Sequence, residues 1–261
     1  MPFCSTTTPV EELMKFKTGL KAPRLGAHRF MFRSYAGPAL PKRPAEFGHD
    51  KLVSDWHMLG NDRYGCCAWS GAAHEEYLWS AEAGQRVQIT TQDVLADYAA
   101  CTGFNPHDPN SDQGTDLDAA AEYRRKTGIL DANGKRHKIV AYANIDPHDL
   151  EAVLTASWLF GAVGLGVTVG QNQETQFEQG KPWDGNPGAD AGGHYVPLIA
   201  YHGGLFWVVT WGRLQAVTRG FLEHNFVQAM TYVSPDMMRS GKSLEGFNLA
   251  ALLYDITSFQ A

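Results

Sequence analysis

The sequence predicts an α+β fold in which helices fill the first half of the chain and strands fill the second. Runs of small, helix-favouring residues dominate up to about residue 160. Apolar stretches of strand length follow, and two of them are joined at a His-Gly-Gly turn. Because the two kinds of element do not alternate, the pattern disfavours a parallel βαβ sheet.

The composition indicates an ordered, loop-rich globular protein. The chain has 261 residues, of which 44% are hydrophobic and 19% are charged, and it contains 27 Gly and 13 Pro. Charge is too sparse for a disordered chain, and the apolar share is sufficient for a core. The length fits one large domain or two closely packed lobes.

Charge and hydropathy exclude two classes of partner. The net charge is −6, and no basic stripe alternates with aromatic residues, so we expect no nucleic-acid partner. The longest apolar stretch, Ser157–Val169, is too short and too rich in glycine to cross a bilayer, so we expect no membrane partner. Residues 1–10 have no charged start and no apolar run, which predicts no secretion signal.

The four cysteines predict reduced thiols. Neighbouring cysteines such as Cys66 and Cys67 rarely bridge to each other, and Cys4 and Cys101 are interpreted as buried small hydrophobic residues. No Cys-x-x-Cys pair is present and the ten His are scattered, so we expect no zinc site and no other cofactor. These features favour a cytoplasmic or particle-associated protein.

The helical half follows an N-terminal arm. Residues 1–50 are rich in Pro, Lys and Arg, which predicts an extended arm. Glycine stops and Thr or Asp caps predict four helices: one from Cys67 to Gly84, then Thr91–Ala100, Asp116–Thr127 and Pro147–Phe160. Glu75 and Glu76 are expected on the solvated face of the first of these helices.

The second half contains the predicted strands and closes with a packed tail. We expect a helical lobe over residues 51–140, a β-rich lobe over 141–235 and a tail over 236–261 that packs on the domain. Alternating or continuous apolar residues predict strands at Ala162–Val169, His194–Tyr201, Leu205–Trp211 and Phe226–Val233.

The chemistry is expected at Cys67 and His194. A thiol becomes a nucleophile near neutral pH when its pKa is lowered and a base lies close by. The predicted start of a helix at Cys67 supplies a partial positive charge. His194 opens a strand directly after a Gly-rich loop, where a side chain can face a cleft and act as general base and then acid.

Three short motifs carry a family resemblance. They are Asn61-x-x-x-Gly65-Cys66-Cys67-Ala68-Trp69-Ser70, Gly193-His194-Tyr195-Val196 and Val209-Thr210-Trp211-Gly212. In order and spacing they resemble the Gln-Gly-x-Cys-Gly-x-Cys-Trp, Asp-His-Ala-Val and Asn-Ser-Trp-Gly motifs of the papain-like cysteine peptidases. Gln113-Gly114-Thr115 resembles the glycine loop of that family, and the similarity covers about residues 52–233.

The resemblance implies a two-lobed fold with a cleft between a helical lobe and an antiparallel β-rich lobe. Cys67 would be the nucleophile, and Cys66 would be a rival that points about 100° away on a helix. Asn61 would donate its amide to an oxyanion beside the backbone N–H of Cys67. Trp211 would shield the histidine, and Gly114 and Gly193 would border the cleft.

The residue that orients the histidine departs from the family pattern, and so does Asn61, which stands where the family has Gln. The Asn that orients the histidine in the family has no match here. If Trp211 anchors the comparison, Val209 takes that place and cannot form a hydrogen bond. If the spacing from the histidine anchors it, Thr210 does, and its hydroxyl could accept from the imidazole of His194.

The resemblance predicts a hydrolase that cleaves peptide (amide) bonds through an acyl-thioester intermediate. Its partner would be a peptide or protein substrate. Two alternatives remain open at this stage. One is an amidase or acyl transferase of the same superfold, and the other is a catalytically degenerate binding or structural module, for example in a phage or other particle.

Overall fold

The computed structural model describes residues 14–24, 29–239 and 246–258, with the side chains of residues 238 and 239 excepted. Cys4 lies outside the described residues. The helices are α1 (Phe32–Tyr35), α2 (Cys67–Glu82), α3 (Thr91–Thr102), α4 (Leu117–Lys126), α5 (Leu150–Phe160), α6 (Gln171–Glu178), α7 (Arg219–Asn225), α8 (Pro235–Arg239) and α9 (Leu249–Ser258). The strands are β1 (Phe47–Gly48), β2 (Ile129–Leu130), β3 (Arg136–His137), β4 (Ala141–Ile145), β5 (Val163–Val169), β6 (Gly192–His202), β7 (Leu205–Thr210), β8 (Arg213–Val217) and β9 (Phe226–Val233).

The predicted α+β fold with two lobes is confirmed. The helices α2 to α4 precede an antiparallel sheet in the order β4-β9-β5-β6-β7-β8, and β1 also pairs with β6. The long strand β6 holds the sheet together, because it pairs with β5 near its start and with β7 near its end. The turn between β6 and β7 is the predicted hairpin, with positive φ at Gly203 and Gly204.

Sequence signals account for where the helices begin. Thr90 and Asp93 form a capping box at the start of α3. The side chain of Asp116 accepts a hydrogen bond at the start of α4. Helix α5 begins at Leu150, three residues later than predicted, because Asp149 is its capping residue.

Helix α2 is buried on nearly every side. All of its residues from Cys67 to Ser80 are buried, and the helix packs across β6. Gly71 permits this close approach, since a Cβ there would lie 2.4 Å from the ring of Tyr195. The expectation that Glu75 and Glu76 face solvent is therefore wrong, because other elements surround the helix.

Both ends of the described chain pack on this body. In the N-terminal part, Leu20, Phe32 and Phe47 are buried, so much of it belongs to the core. In the C-terminal part, Phe247 stacks on Phe32 with ring centroids 5.5 Å apart. No helix within the described ranges is long and apolar enough to cross a membrane.

Candidate active site

Cys67 is the first residue of α2, the helix that packs across β6. Its side chain is buried, and burial raises the pKa of the thiol to about 11. Backbone amides of Tyr195, Gly19 and Ala68 act in the opposite direction, and of these Tyr195 lies near the start of β6. While it is buried in this way, the thiol of Cys67 is neutral near pH 7.

Cys66 has different neighbours. Its Sγ lies 3.7 Å from the carbonyl oxygen of Leu59 and 3.5 Å from the hydroxyl of Ser70. Burial raises its pKa to about 12. Both thiols are free, as is that of Cys101, but the Cys66 thiol lies against the segment that precedes α2.

His194 lies near the start of β6 and is fully buried. Its Nε2 is 2.7 Å from the hydroxyl oxygen of Thr210, whereas no described residue forms a hydrogen bond with its Nδ1. Burial lowers the pKa of the imidazole to about 3, so the ring is neutral. With Nε2–H donating to Thr210, Nδ1 would carry the lone pair that a base needs.

Thr210 and Val209 resolve the departure noted in the sequence. Thr210 is the last residue of β7, and its hydroxyl reaches His194. Val209 belongs to the opposite face because side chains alternate along a strand. Of the two sequence alternatives, the structure brings Thr210 to the histidine.

Trp211 lies directly against the imidazole. Its ring stacks on His194 with centroids 4.9 Å apart and an interplanar angle of 30°. Trp183 packs edge-on against both rings, with centroids 6.4 Å from His194 and 5.7 Å from Trp211. His194 and Thr210 are both buried, and the shielding role of Trp211 stays a prediction.

Asn61 lies in the turn before α2 and is buried. No described residue forms a hydrogen bond with its Oδ1. Its role at an oxyanion stays a prediction.

Residues 14–21 fill the cleft. The backbone N–H of Leu20 donates to the carbonyl of Gly193 at 2.8 Å. On the opposite wall, Thr115 donates to the carbonyl of Gly19 at 2.7 Å and accepts from Lys21 at 2.9 Å. The chain thus forms a parallel bridge with Thr115, and the backbone amide of Gly19 interacts with the thiol of Cys67.

Two of the glycines named in the sequence analysis make room for this segment, and their place at a substrate cleft stays a prediction. A Cβ at Gly114 would lie 2.1 Å from the carbonyl oxygen of Gly19. A Cβ at Gly193 would lie 2.3 Å from the carbonyl oxygen of Leu20. The main chain of the segment therefore lies closer to both walls than a side chain would allow.

An acidic and aromatic pocket holds the start of the segment. Phe16 stacks on Trp211 with centroids 4.9 Å apart and packs edge-on against Phe177 at 5.6 Å. The backbone N–H groups of Lys15 and Phe16 both donate to Oε1 of Glu174, at 2.6 and 2.8 Å. Sequence reasoning missed Glu174, Phe177 and Trp183, because α6 shows a mainly polar pattern and no motif marks these residues.

A cluster of possible metal ligands lies away from Cys67 and His194 and includes one residue of α2. In the described part of the chain, Glu76, His137 and Asp236 place three ligand atoms within 4.8 Å of one another. The cleft residues Cys67 and His194 are not among them.

Known proteins resemble this chain in structure only. The sequence matches no family model, and it matches no curated protein. Xylellain, a cysteine protease from Xylella fastidiosa, aligns with a TM-score of 0.64 over 87% of this chain and 99% of its own, at 12% identity.

Two further proteases align with this chain in structure at similarly low identity. The Carica candamarcensis cysteine protease CMS1MS2 aligns at a TM-score of 0.53 and 15% identity, over 74% of this chain and 99% of its own. Bromelain from Ananas comosus aligns at 0.53 and 13%, over 74% of this chain and 100% of its own. Identities this low show the fold alone, and the chain accordingly has the fold of the papain-like cysteine proteases.

Proposed function

We propose that this protein is a cysteine hydrolase that cleaves peptide or other amide bonds, with Cys67 as nucleophile and His194 as general base and acid. One observation carries the proposal. His194 makes a hydrogen bond to Thr210 through Nε2, while no described residue bonds its Nδ1. The next residue along β6, Tyr195, brings its backbone amide to the thiol of Cys67.

The proposed reaction uses these groups in sequence. The thiol of Cys67 gives its proton to Nδ1 of His194, and the thiolate attacks the carbonyl carbon of the amide. The backbone N–H of Cys67 and the side-chain amide of Asn61 donate to the oxyanion that forms. His194 then returns the proton to the leaving amine, and water hydrolyses the acyl thioester with His194 again as base.

The same site supports latency as part of the proposal. With residues 14–21 in the cleft, burial raises the pKa of Cys67 to about 11 and lowers that of His194 to about 3. Both groups are then neutral, and a substrate cannot reach the thiol. Departure of the segment would hydrate both groups and favour the thiolate–imidazolium pair.

The test uses the full chain opened by Gly19→Ala. A Cβ at residue 19 would lie 2.1 Å from the carbonyl oxygen of Gly65, so the segment cannot keep its path. In this background we expect hydrolysis of fluorogenic peptides and alkylation of one thiol by iodoacetamide near pH 6. Adding Cys67→Ala should abolish both signals, and adding Cys66→Ala should retain most of each.

The alternatives give different results in the same assay. A degenerate binding module, which the neutral buried thiol and imidazole favour, would show no rapid alkylation of Cys67 even when the segment is displaced. An amidase or acyl transferase would show alkylation but would leave peptides intact. Loss of all activity with Cys66→Ala alone would mean that the wrong cysteine has been assigned.

A further inference from the structure

We propose that Glu76, His137 and Asp236 form a binding site for a divalent transition-metal ion, for which Zn²⁺ is the best match. The three residues come from α2, β3 and α8, and their ligand atoms lie within 4.8 Å of one another. The site is separate from the cleft, and the proposal does not depend on the hydrolase function.

The distances between the ligand atoms suit one shared ion. Nδ1 of His137 lies 3.1 Å from Oε1 of Glu76 and 3.6 Å from Oδ2 of Asp236. Ligands bound to Zn²⁺ at about 2.0–2.1 Å in a tetrahedron are separated from one another by about 3.3 Å. The two observed distances lie on either side of that value.

Two buried polar atoms at this place make no hydrogen bond. Only 2% of the His137 side chain and 3% of the Glu76 side chain are exposed. Nδ1 of His137 and Oε1 of Glu76 nevertheless have no hydrogen-bond partner among the described residues. They lie 3.1 Å apart, so a cation between them would interact with both.

A carboxylate behind the histidine selects the required tautomer. Nε2 of His137 lies 3.1 Å from Oδ2 of Asp131. Asp131 is itself held by the backbone N–H groups of Asn133 and Lys135, at 2.9 and 2.8 Å. A proton on Nε2 then donates to Asp131, which leaves the lone pair of Nδ1 for a metal, as in most metal-binding histidines.

The ligand set selects among metals. One imidazole and two carboxylates suit Zn²⁺, whereas Ca²⁺ and Mg²⁺ prefer oxygen ligands throughout. The Asp236 side chain is 17% exposed, so water can reach a fourth coordination position from that side. A bound ion would link α2, the β2–β3 hairpin and α8, and it would stabilise the helix that carries Cys67.

The test is a titration of the metal-free full chain with Zn²⁺. Calorimetry measures the binding, and thermal unfolding measures the change in Tm. We expect one tight site and a higher Tm. His137→Gln and Glu76→Gln should each weaken binding by at least about tenfold, and Asp131→Asn should weaken it by about 10–100-fold. His148→Gln, which alters a histidine outside the cluster, should bind as the unmodified chain does.

A spectroscopic measurement keeps the proposal testable if a variant fails to fold. X-ray absorption of the unmodified chain with one equivalent of Zn²⁺ should show nitrogen and oxygen ligands, including one imidazole. Sulfur ligands would assign the ion to a cysteine and overturn the proposal. Equal binding by the unmodified chain and both ligand variants would also overturn it, and the cluster would then be an ion pair between a protonated His137 and its carboxylates.

Discussion

Two groups of buried titratable side chains lie along α2, and they differ in how their burial is compensated. Glu75 accepts hydrogen bonds from Arg124 at 2.6 Å and from the hydroxyl of Tyr195 at 2.6 Å. The thiol of Cys67 interacts with the backbone amide of Tyr195, the residue that follows His194 on β6. No charged group contributes to the pKa shift of Cys67. In the first group Arg124 offsets part of the burial that raises the pKa of Glu75, whereas the second group has no charged partner and is neutral while the cleft is covered.

The pair of Glu75 and Arg124 stabilises the fold, whereas the protonation of Cys67 and His194 depends on whether the cleft is covered. Burial lowers the pKa of Arg124, but Glu75, Tyr232 and Tyr195 together raise it by more, so the guanidinium stays charged. Its face also lies 4.0 Å from the ring centroid of Tyr232. At Cys67 and His194, burial alone sets the direction of both shifts, so uncovering the cleft can reverse them.

The largest expected effect comes from breaking the ion pair. Arg124→Met leaves the carboxylate of Glu75 buried without its cation, which should lower the free energy of unfolding by about 3–5 kcal/mol. Urea denaturation measures the change. The matched control is Arg125→Met, which removes a partly exposed pair with Glu122 and should cost at most about 1 kcal/mol. Equal losses in the two variants would contradict the comparison.

Opening the cleft should have the next largest effect. Gly19→Ala forces a Cβ against the backbone of Gly65, and such overpacking costs about 1–3 kcal/mol. The covered state should become less populated, so the alkylation rate of Cys67 by iodoacetamide should rise roughly tenfold or more. Lys17→Ala, which truncates an exposed side chain of the same segment, is the control and should leave the rate unchanged.

An unchanged rate in Gly19→Ala would mean that the segment does not limit access to the thiol. Glu174→Gln gives an independent measurement, because Glu174 accepts the backbone N–H groups of Lys15 and Phe16. A neutral amide oxygen is a weaker acceptor than a carboxylate, so this variant should also raise the alkylation rate.

Local sequence signals were sufficient for the elements that carry the central residues. Small residues and glycine stops predicted the helix at Cys67, and apolar runs predicted the strands that carry His194 and Thr210. The alternation of side chains along β7 further limited which residue could meet the histidine. Each of these inferences depends on residues close together in the chain.

The remaining features depend on contacts between distant residues. Glu75 and Glu76 resembled a solvated face because charge usually indicates solvent, but α2 is surrounded by other elements. The path of residues 14–21 depends on hydrogen bonds to Thr115 and Gly193, which no local pattern reveals. Glu174 lies on a helix with a mainly polar sequence, so nothing marked it as a binding residue.

Acid should lower the free energy of unfolding through His194. The pKa of this imidazole is lowered from 6.5 to about 3 by burial, so the unfolded chain takes up a proton that the folded chain excludes. Stability from this group is present above pH 6.5 and is lost as the pH falls toward 3, by up to about 1.4 kcal/mol per pH unit. Urea denaturation at pH 7 and pH 5 should show a smaller loss for His194→Gln than for the unmodified chain, and equal losses would contradict this account.

The smallest effect concerns the hydroxyl that holds the histidine. Thr210→Val keeps the shape of the side chain but removes the partner 2.7 Å from Nε2 of His194. In the Gly19→Ala background we expect the rate of peptide hydrolysis to fall about tenfold, which corresponds to one neutral hydrogen bond. Thr210→Asn should raise the rate, because an amide oxygen accepts from the imidazole more strongly than a hydroxyl does.

The apparent pKa for alkylation of Cys67 tests the same role of Thr210. This pKa should not change if Thr210 only supports the structure. Without Thr210 the imidazolium loses an acceptor, so the thiolate–imidazolium pair forms less readily and that pKa should rise. If Thr210→Val changes neither the rate nor this pKa, residue 210 does not orient the histidine, and the opened enzyme works with Cys67 and His194 alone.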